Sequence, residues 1–133
     1  YEMLRSLVGS EMCIRDSSSF NNLVKNGRMS KIVGFVANKL GFWGIGIGSK
    51  QGTIEIKQKI RGSKKALDAI IDDMKERGYN CGKVVISHCR NAEFAESVKS
   101  AIQSVWDKAE VKIVHARGLC SYYAEKGGLI IGF

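Results

Sequence analysis

An α/β domain, one mixed sheet with packed helices, is the fold class this sequence predicts, and three observations predict it. Segments whose apolar residues recur at helical spacing alternate with short runs of strand character. Glycines stand at most of the joins between them. The 133 residues, 44% hydrophobic and 26% charged, carry no internal repeat and no linker, which fits a single core.

The first segment is read apart from the rest. Residues 7–16, Leu-Val-Gly-Ser-Glu-Met-Cys-Ile-Arg-Asp, are spelled by CTC GTG GGC TCG GAG ATG TGT ATA AGA GAC, which resembles a transposase-type library adapter read straight through. Tyr1 and Glu2 fit the end of a flow-cell primer, and Met3 to Ser6 a variable index. The other reading is an amphipathic N-terminal helix with Met3, Leu4, Leu7 and Val8 on one face. The adapter reading makes residues 1–17 non-native and residues 18–133 the single native domain, with an upstream part of the gene expected to be missing. The basic excess then belongs to the native part, because residues 1–17 hold Arg5 and Arg15 against Glu2, Glu11 and Asp16.

Downstream, Phe20, Leu23 and Val24 share a helical face that ends at Asn26-Gly27. Ser30 is placed to cap a second helix with Val33, Val36, Ala37 and Leu40 as its stripe and Gly41 as its stop. Gly44, Gly46 and Gly48 alternate with Ile45 and Ile47, a strand with one bare face. Ile54 and Ile56 alternate with Glu55 and Lys57, so the two runs form a hairpin. Ser63 opens the clearest helix, in which Ala66, Leu67, Ile70, Ile71 and Met74 keep the i, i+3, i+4, i+7 spacing before Gly78. Val84, Val85 and Ile86 read as a strand covered on both faces. Asn91 is expected to cap a helix carrying Phe94, Val98, Ile102, Val105 and Trp106. Residues 111–115 form a strand, 118–126 a short helix or turn, and 129–133 a last strand.

Several function classes are excluded by composition. Asn38 and Lys39 interrupt the longest apolar stretch, short of the ~20 residues of a membrane span. The chain start lacks the apolar core and cleavage site of a secretory signal. Cys13, Cys81, Cys89 and Cys120 form neither a zinc spacing nor a disulfide framework, so a reducing, cytoplasmic setting is expected.

Few residues suggest chemistry. Gly44, Gly46 and Gly48 followed by Ser49-Lys50 lack the phosphate-loop spacing, and a strand rather than a helix follows. The bare glycines leave room for a neighbouring backbone or a ligand chain. His88-Cys89 and His115 with Cys120 are the nucleophile-and-base candidates. No paired carboxylates and no metal-ligand spacing stand out, so no catalytic residue, metal or cofactor is assigned. Lys57, Lys59, Arg61, Lys64 and Lys65 put five cations in nine positions without an acid. Such a cluster meets an acidic protein, anionic lipid or nucleic acid, though no aromatics interleave as single-strand binding prefers. Two alternatives are a basic nucleic-acid-binding module and a small thiol enzyme using Cys89 or Cys120.

Four elements carry a resemblance. Gly27-Arg28-Met29-Ser30, then Lys59-Ile60-Arg61-Gly62-Ser63-Lys64-Lys65-Ala66, then Val85-Ile86-Ser87-His88, then the closing Gly127-Gly128-Leu129-Ile130-Ile131-Gly132-Phe133 are similar, in order, to elements in the second half of DegV-family proteins. The resemblance implies a non-catalytic C-terminal domain of a two-domain carrier. That carrier encloses a long-chain fatty acid and presents its carboxylate to a partner fatty acid kinase, here expected to be acidic. The family's H-x-G-x-G element falls on residues 123–127, where Tyr123 replaces the histidine. Its N-I-K-P falls on Gly41-Phe42-Trp43-Gly44. The implied lipid-binding residues are Phe42, Trp43, Ile45, Ile47, Ser121 and Tyr123, with Ile45 and Ile47 beside the glycines as acyl-chain wall. The implied kinase-docking residues are Lys57, Arg61, Lys64 and Lys65.

Overall fold

The structure, a computed structural model, describes residues 11–16, 25–27, 42–48 and 54–133. The helices expected around residues 20–24 and 30–40 lie outside the described residues. The glycine hairpin forms as read: β2 (Phe42–Gly48) pairs antiparallel with β3 (Ile54–Arg61). Its register slips between Ile45, opposite Gln58, and Gly46, opposite Ile56, so Lys57 is an extra residue without a cross-strand partner. Such a bulge bends the strand and re-aims a side chain.

The strand Glu11–Asp16, β1, was not expected, since this stretch lies within the segment read as adapter. It pairs antiparallel with β2 on one side and with β6 (Leu129–Gly132) on the other. β6 in turn pairs antiparallel with β4 (Lys83–His88), and β4 lies parallel to β5 (Glu110–His115). The sheet is mixed, in the order β3-β2-β1-β6-β4-β5. A parallel pair needs a crossover, and α2 (Ala92–Val105) supplies the one between β4 and β5.

Helix α1 (Ser63–Glu76) and α2 pack against each other and against the same face of the sheet. Strand alternation sends Trp43 and Ile45 of β2, Val84 and Ile86 of β4, and Leu129 and Ile131 of β6 to that face. There they meet Ala66, Ile70 and Met74 of α1 and Phe94, Val98 and Ile102 of α2. Each fully buried aliphatic side chain contributes about 1.5–3 kcal/mol. The apolar spacing of both helices is thus borne out, except that Val105 is 45% exposed and Trp106 is the residue after the helix. There Trp106 turns edge-on to Tyr79, ring centroids 4.9 Å apart.

Helix ends follow local chemistry. Gly78, at φ +80, ends α1 in the left-handed region, with Tyr79 N donating to Met74 O at 3.0 Å. At the start of α1 the N-cap is Gly62, and no side chain caps it. Asn91 occupies the N-cap of α2, but its side chain does not cap that helix as the sequence suggested. Its Nδ2 instead donates to Gly127 O at 3.0 Å, tying the start of α2 to the turn before β6. The last helix, α3 (Gly118–Ala124), joins the end of β5 to that turn.

Candidate functional site

Strand register sets one edge of the sheet as a row. Arg61 ends β3 opposite Phe42, which starts β2; Trp43 lies opposite Asp16 at the end of β1; Ile14 lies opposite Leu129 at the start of β6. Leu129 pairs with His88, and His88 with His115, the last residues of β4 and β5. Helix α3 spans two strand ends of this edge, and α1 starts from it. Phe42, Trp43, Ser121, Tyr123, Arg61, Lys64 and Lys65, scattered in sequence, therefore belong to elements that meet on one rim. Ile45 and Ile47 lie farther along β2, and Lys57 partway along β3.

The basic run divides. Lys59, Arg61, Lys64 and Lys65 are exposed. Lys57 is different: its ammonium donates to Asp73 Oδ1 of α1 at 2.7 Å and also bonds Glu76. Arg77 Nε reaches Asp73 Oδ2 at 2.7 Å, so both oxygens of a carboxylate only 2% exposed are satisfied. The hydrogen bonds to Asp73 and Glu76 hold the Lys57 pKa above its ordinary value. The bulge in β3 is what turns Lys57 toward α1. Its charge belongs to a strand-to-helix tie.

The other end of the rim centres on His88, 2% exposed. Its Nδ1 accepts from the Asn91 backbone N–H at 3.2 Å, which assigns the neutral ring's proton to Nε2. Burial, and then the nearby His115, push its pKa below the ordinary histidine value. The two rings lie 4.4 Å apart, centroid to centroid. Around them three loops are laced by backbone bonds: Ala116 N to His88 O at 2.8 Å, Cys89 N to Gly128 O at 3.0 Å, and Gly127 N to Cys89 O at 2.8 Å. Gly128 has no space for a side chain, because a Cβ there would lie 2.1 Å from Ala124 O.

The β2 side chains expected to wall an acyl chain alternate with the glycines of that strand. Trp43 and Ile45 face the helices and are core residues, with the Trp43 ring 4.3 Å from that of Phe94. Gly44 and Gly46 alternate with them and so belong to the opposite face. Across from Gly46 stands half-buried Ile56, and through β1 the register continues to half-buried Ile130 and Ser87. Ile56 is the apolar neighbour of Gly46 that sequence reading missed, and Ile130 lies on the same row beyond Cys13 of β1; cross-strand pairing reveals both. Ile47 is half buried.

On α3, Ser121 Oγ donates back to Gly118 O at 2.8 Å, leaving the hydroxyl as an acceptor unless it rotates. Tyr123 lies on the same helix. Leu119 and Tyr122 are 57% and 43% exposed, and Asn26 Nδ2 donates to Tyr122 Oη at 3.1 Å. Cys89 and Cys120 are half-buried free thiols, and among the described residues neither forms a hydrogen bond with a histidine through its sulfur. No group of three or more metal-ligating side chains occurs among the described residues. No described helix is long and apolar enough to cross a membrane.

Comparison with known proteins agrees with this arrangement. Residues 16–133 match the family described as "Uncharacterised protein, DegV family". A DegV domain-containing protein of Streptococcus pyogenes serotype M3 is 44% identical over 113 residues, 85% of this chain and 40% of the relative. A DegV domain-containing protein of Streptococcus pneumoniae is 41% identical over the same length. Among solved structures, a DegV family protein from Eubacterium eligens loaded with heptadecanoic acid superposes with a TM-score of 0.86 at 38% identity, over 92% of this chain and 44% of that one. The Streptococcus pneumoniae Fatty Acid Kinase (Fak) B3 protein loaded with linoleic acid gives 0.87 at 35% identity, over 99% and 47%. The chain thus spans less than half the length of the proteins it matches.

Proposed function

The chain belongs to the DegV family, and on that premise we propose that it forms part of a fatty-acid-binding carrier that presents a long-chain fatty acid's carboxylate to a kinase. The observation that carries this reading is the superposition on two fatty-acid-loaded proteins at more than a third sequence identity. The domain is a cytoplasmic carrier rather than an enzyme. Phosphoryl transfer belongs to the partner, and no catalytic residue is needed here.

The acyl chain is proposed to run along the bare backbone of Gly44 and Gly46, between Ile56 and Ile130, with the head group at the α3 end of the rim near Ser121 and Tyr123. A tyrosine hydroxyl can donate to a carboxylate without titrating near neutrality as histidine does. Phe42 and Ile47 border the ends of β2. Trp43 and Ile45 support the strand from the core side. Arg61, Lys64 and Lys65 form the kinase-docking corner; the Lys57 charge is largely offset by Asp73 and Glu76.

We also read residues 1–17 as adapter-derived and residues 18–133 as the native part, with a further N-terminal domain completing the lipid enclosure.

Two experiments test the proposal. Sequencing genomic DNA upstream of Ser18 should reveal an α/β domain of comparable size in frame; a start codon immediately before Ser18 would remove the two-domain reading. Intact mass spectrometry of the protein so recovered should show a copurified fatty acid, which Gly46→Leu should displace. Protein purified without any lipid, and unable to take up oleic acid, would end the carrier reading.

A further inference from the structure

The cations of the rim are not confined to the corner at Arg61. Past the row of strand ends, the loop after His88 carries Arg90, the loop after His115 carries Arg117, and the turn before Leu129 carries Lys126, all exposed. Together with Lys59, Arg61, Lys64 and Lys65 they stand at the ends of β3, β6, β4 and β5 along an edge of six strands, about 24 Å at the usual strand spacing, with Phe42 of β2 and Asp16 of β1 between the two groups. Near them on the rim side stand Asp16, Glu93 and Glu125. Of the acids of α1, Asp72, Asp73 and Glu76 sit toward its far end, with Asp73 and Glu76 tied to Lys57, while exposed Asp68 lies one turn beyond Lys64.

Local stability does not account for this placement. The first turn of α1 has no acid and no side-chain cap, and it carries Lys64 and Lys65 against the positive end of the helix dipole. α2 also starts at this rim without a side-chain cap. Arg90 adopts φ +53, a left-handed conformation that glycine or asparagine takes at lower cost. Positive charge is concentrated on one edge where other residues would hold the fold better.

We propose that the entire rim, from Arg61 through Arg117 and Lys126, is one docking surface for a carboxylate-rich protein partner. Exposed Leu119 and Tyr122 lie within the same edge, on α3. A charged border around apolar anchors is the anatomy of a protein interface, whereas a phosphate backbone offers a leucine nothing to pack against. The inference rests on the carrier reading in one respect: a ligand presented at the α3 end must be met there by the enzyme that uses it. It widens the docking site from one corner to the whole edge and removes Lys57 from it.

The test uses the 133-residue chain and poly-L-glutamate as the acidic probe, followed by fluorescence anisotropy at about 0.15 M salt, where surface charges are screened beyond ~8 Å. Three double variants change the charge equally: Arg61→Glu with Lys65→Glu, Arg117→Glu with Lys126→Glu, and Lys83→Glu with Lys108→Glu on the opposite edge. Each rim pair should weaken binding by roughly tenfold, as expected for a surface held by electrostatic complementarity, and the far-edge pair less than twofold. Melting curves check that all three fold. An equal loss from the far-edge pair, or no loss from Arg117 with Lys126, overturns the proposal. Tighter binding to a single-stranded oligonucleotide or to phosphatidylglycerol vesicles than to polyglutamate overturns the choice of partner. Fatty acid content is read separately, on the full-length protein recovered from genomic DNA: lipid-free full-length protein with an intact rim response defeats the carrier reading alone, and lipid-loaded protein without that response defeats the rim alone.

Discussion

Lys57 of β3 and Asp73 of α1 meet at 2.7 Å because a β-bulge frees Lys57 from cross-strand pairing. The carboxylate is buried and takes a second bond from Arg77, so the shared acid carries more weight than Lys57 alone. Replacing Asp73 with Ala should lower stability by about 1.5–3 kcal/mol, the range for hydrogen bonds to a charged group. Lys57→Met should cost about 1 kcal/mol, since Arg77 still satisfies the acid. Urea denaturation measures both, and a larger loss from Lys57→Met than from Asp73→Ala would contradict the assignment.

His88 makes stability depend on pH. Its folded pKa lies below the ordinary histidine value, so the unfolded chain takes up the proton first as pH falls. The contribution is complete above about pH 6.5 and is lost as acid is added below it, at no more than about 1.4 kcal/mol per pH unit. Thermal melts at pH 7.5, 6.5 and 5.5 should fall in that order. His88→Gln should flatten the response; a slope that survives in the variant points to another group.

Trp43 and Phe94 lock β2 to α2, with ring centroids 4.3 Å apart and both residues buried. Phe94→Ala should cost about 3–5 kcal/mol, as aromatic truncations in cores do. The emission of Trp43 should also shift to the red. A Trp106→Phe background removes the emission of the other tryptophan, packed edge-on to Tyr79, so that Trp43 is read alone.

Gly128→Ala should be worse than Gly78→Ala. At Gly78 an added methyl meets nothing within 4 Å, and only the φ of +80 opposes it, at about 1–2 kcal/mol. At Gly128 the methyl collides with the Ala124 carbonyl, which adds overpacking of about 1–3 kcal/mol and displaces the end of α3. Faster amide exchange at Cys89 and Gly127, whose bonds lace this turn, is the local readout; unchanged exchange would mean that the turn yields without moving.

Much of the fold was legible because local patterns and tertiary demands agree. The stripe through Ala66, Ile70 and Met74 and the apolar run at Val84 and Ile86 are periodic for the same reason that they are buried. What escaped is set by pairing between distant segments. Nothing around residue 57 announces a bulge, since the extra residue is defined only against β2, and the partner of Lys57 lies on the next helix. Asn91 has the right identity for a cap, yet Gly127, brought close by β6, draws its amide away. The cations of the rim were visible only where they are contiguous; Arg90, Arg117 and Lys126 are brought to the same edge as Arg61 through strand order. On the glycine strand, alternation puts Gly44 and Gly46 on one face, where both are buried, but which residues border them depends on register with β3 and β1.

The place of β1 carries its own consequence. With Glu11–Asp16 absent, the sheet would part into a β3-β2 ribbon and a β6-β4-β5 trio, each with an unsatisfied edge turned toward the other. Such a gap is bounded on both sides by antiparallel partners and can be closed by an extended peptide about six residues long, supplied from outside the chain. A shortened form would therefore behave as a split protein awaiting its missing strand, restored by complementation or, at high concentration, sealed by its own copies.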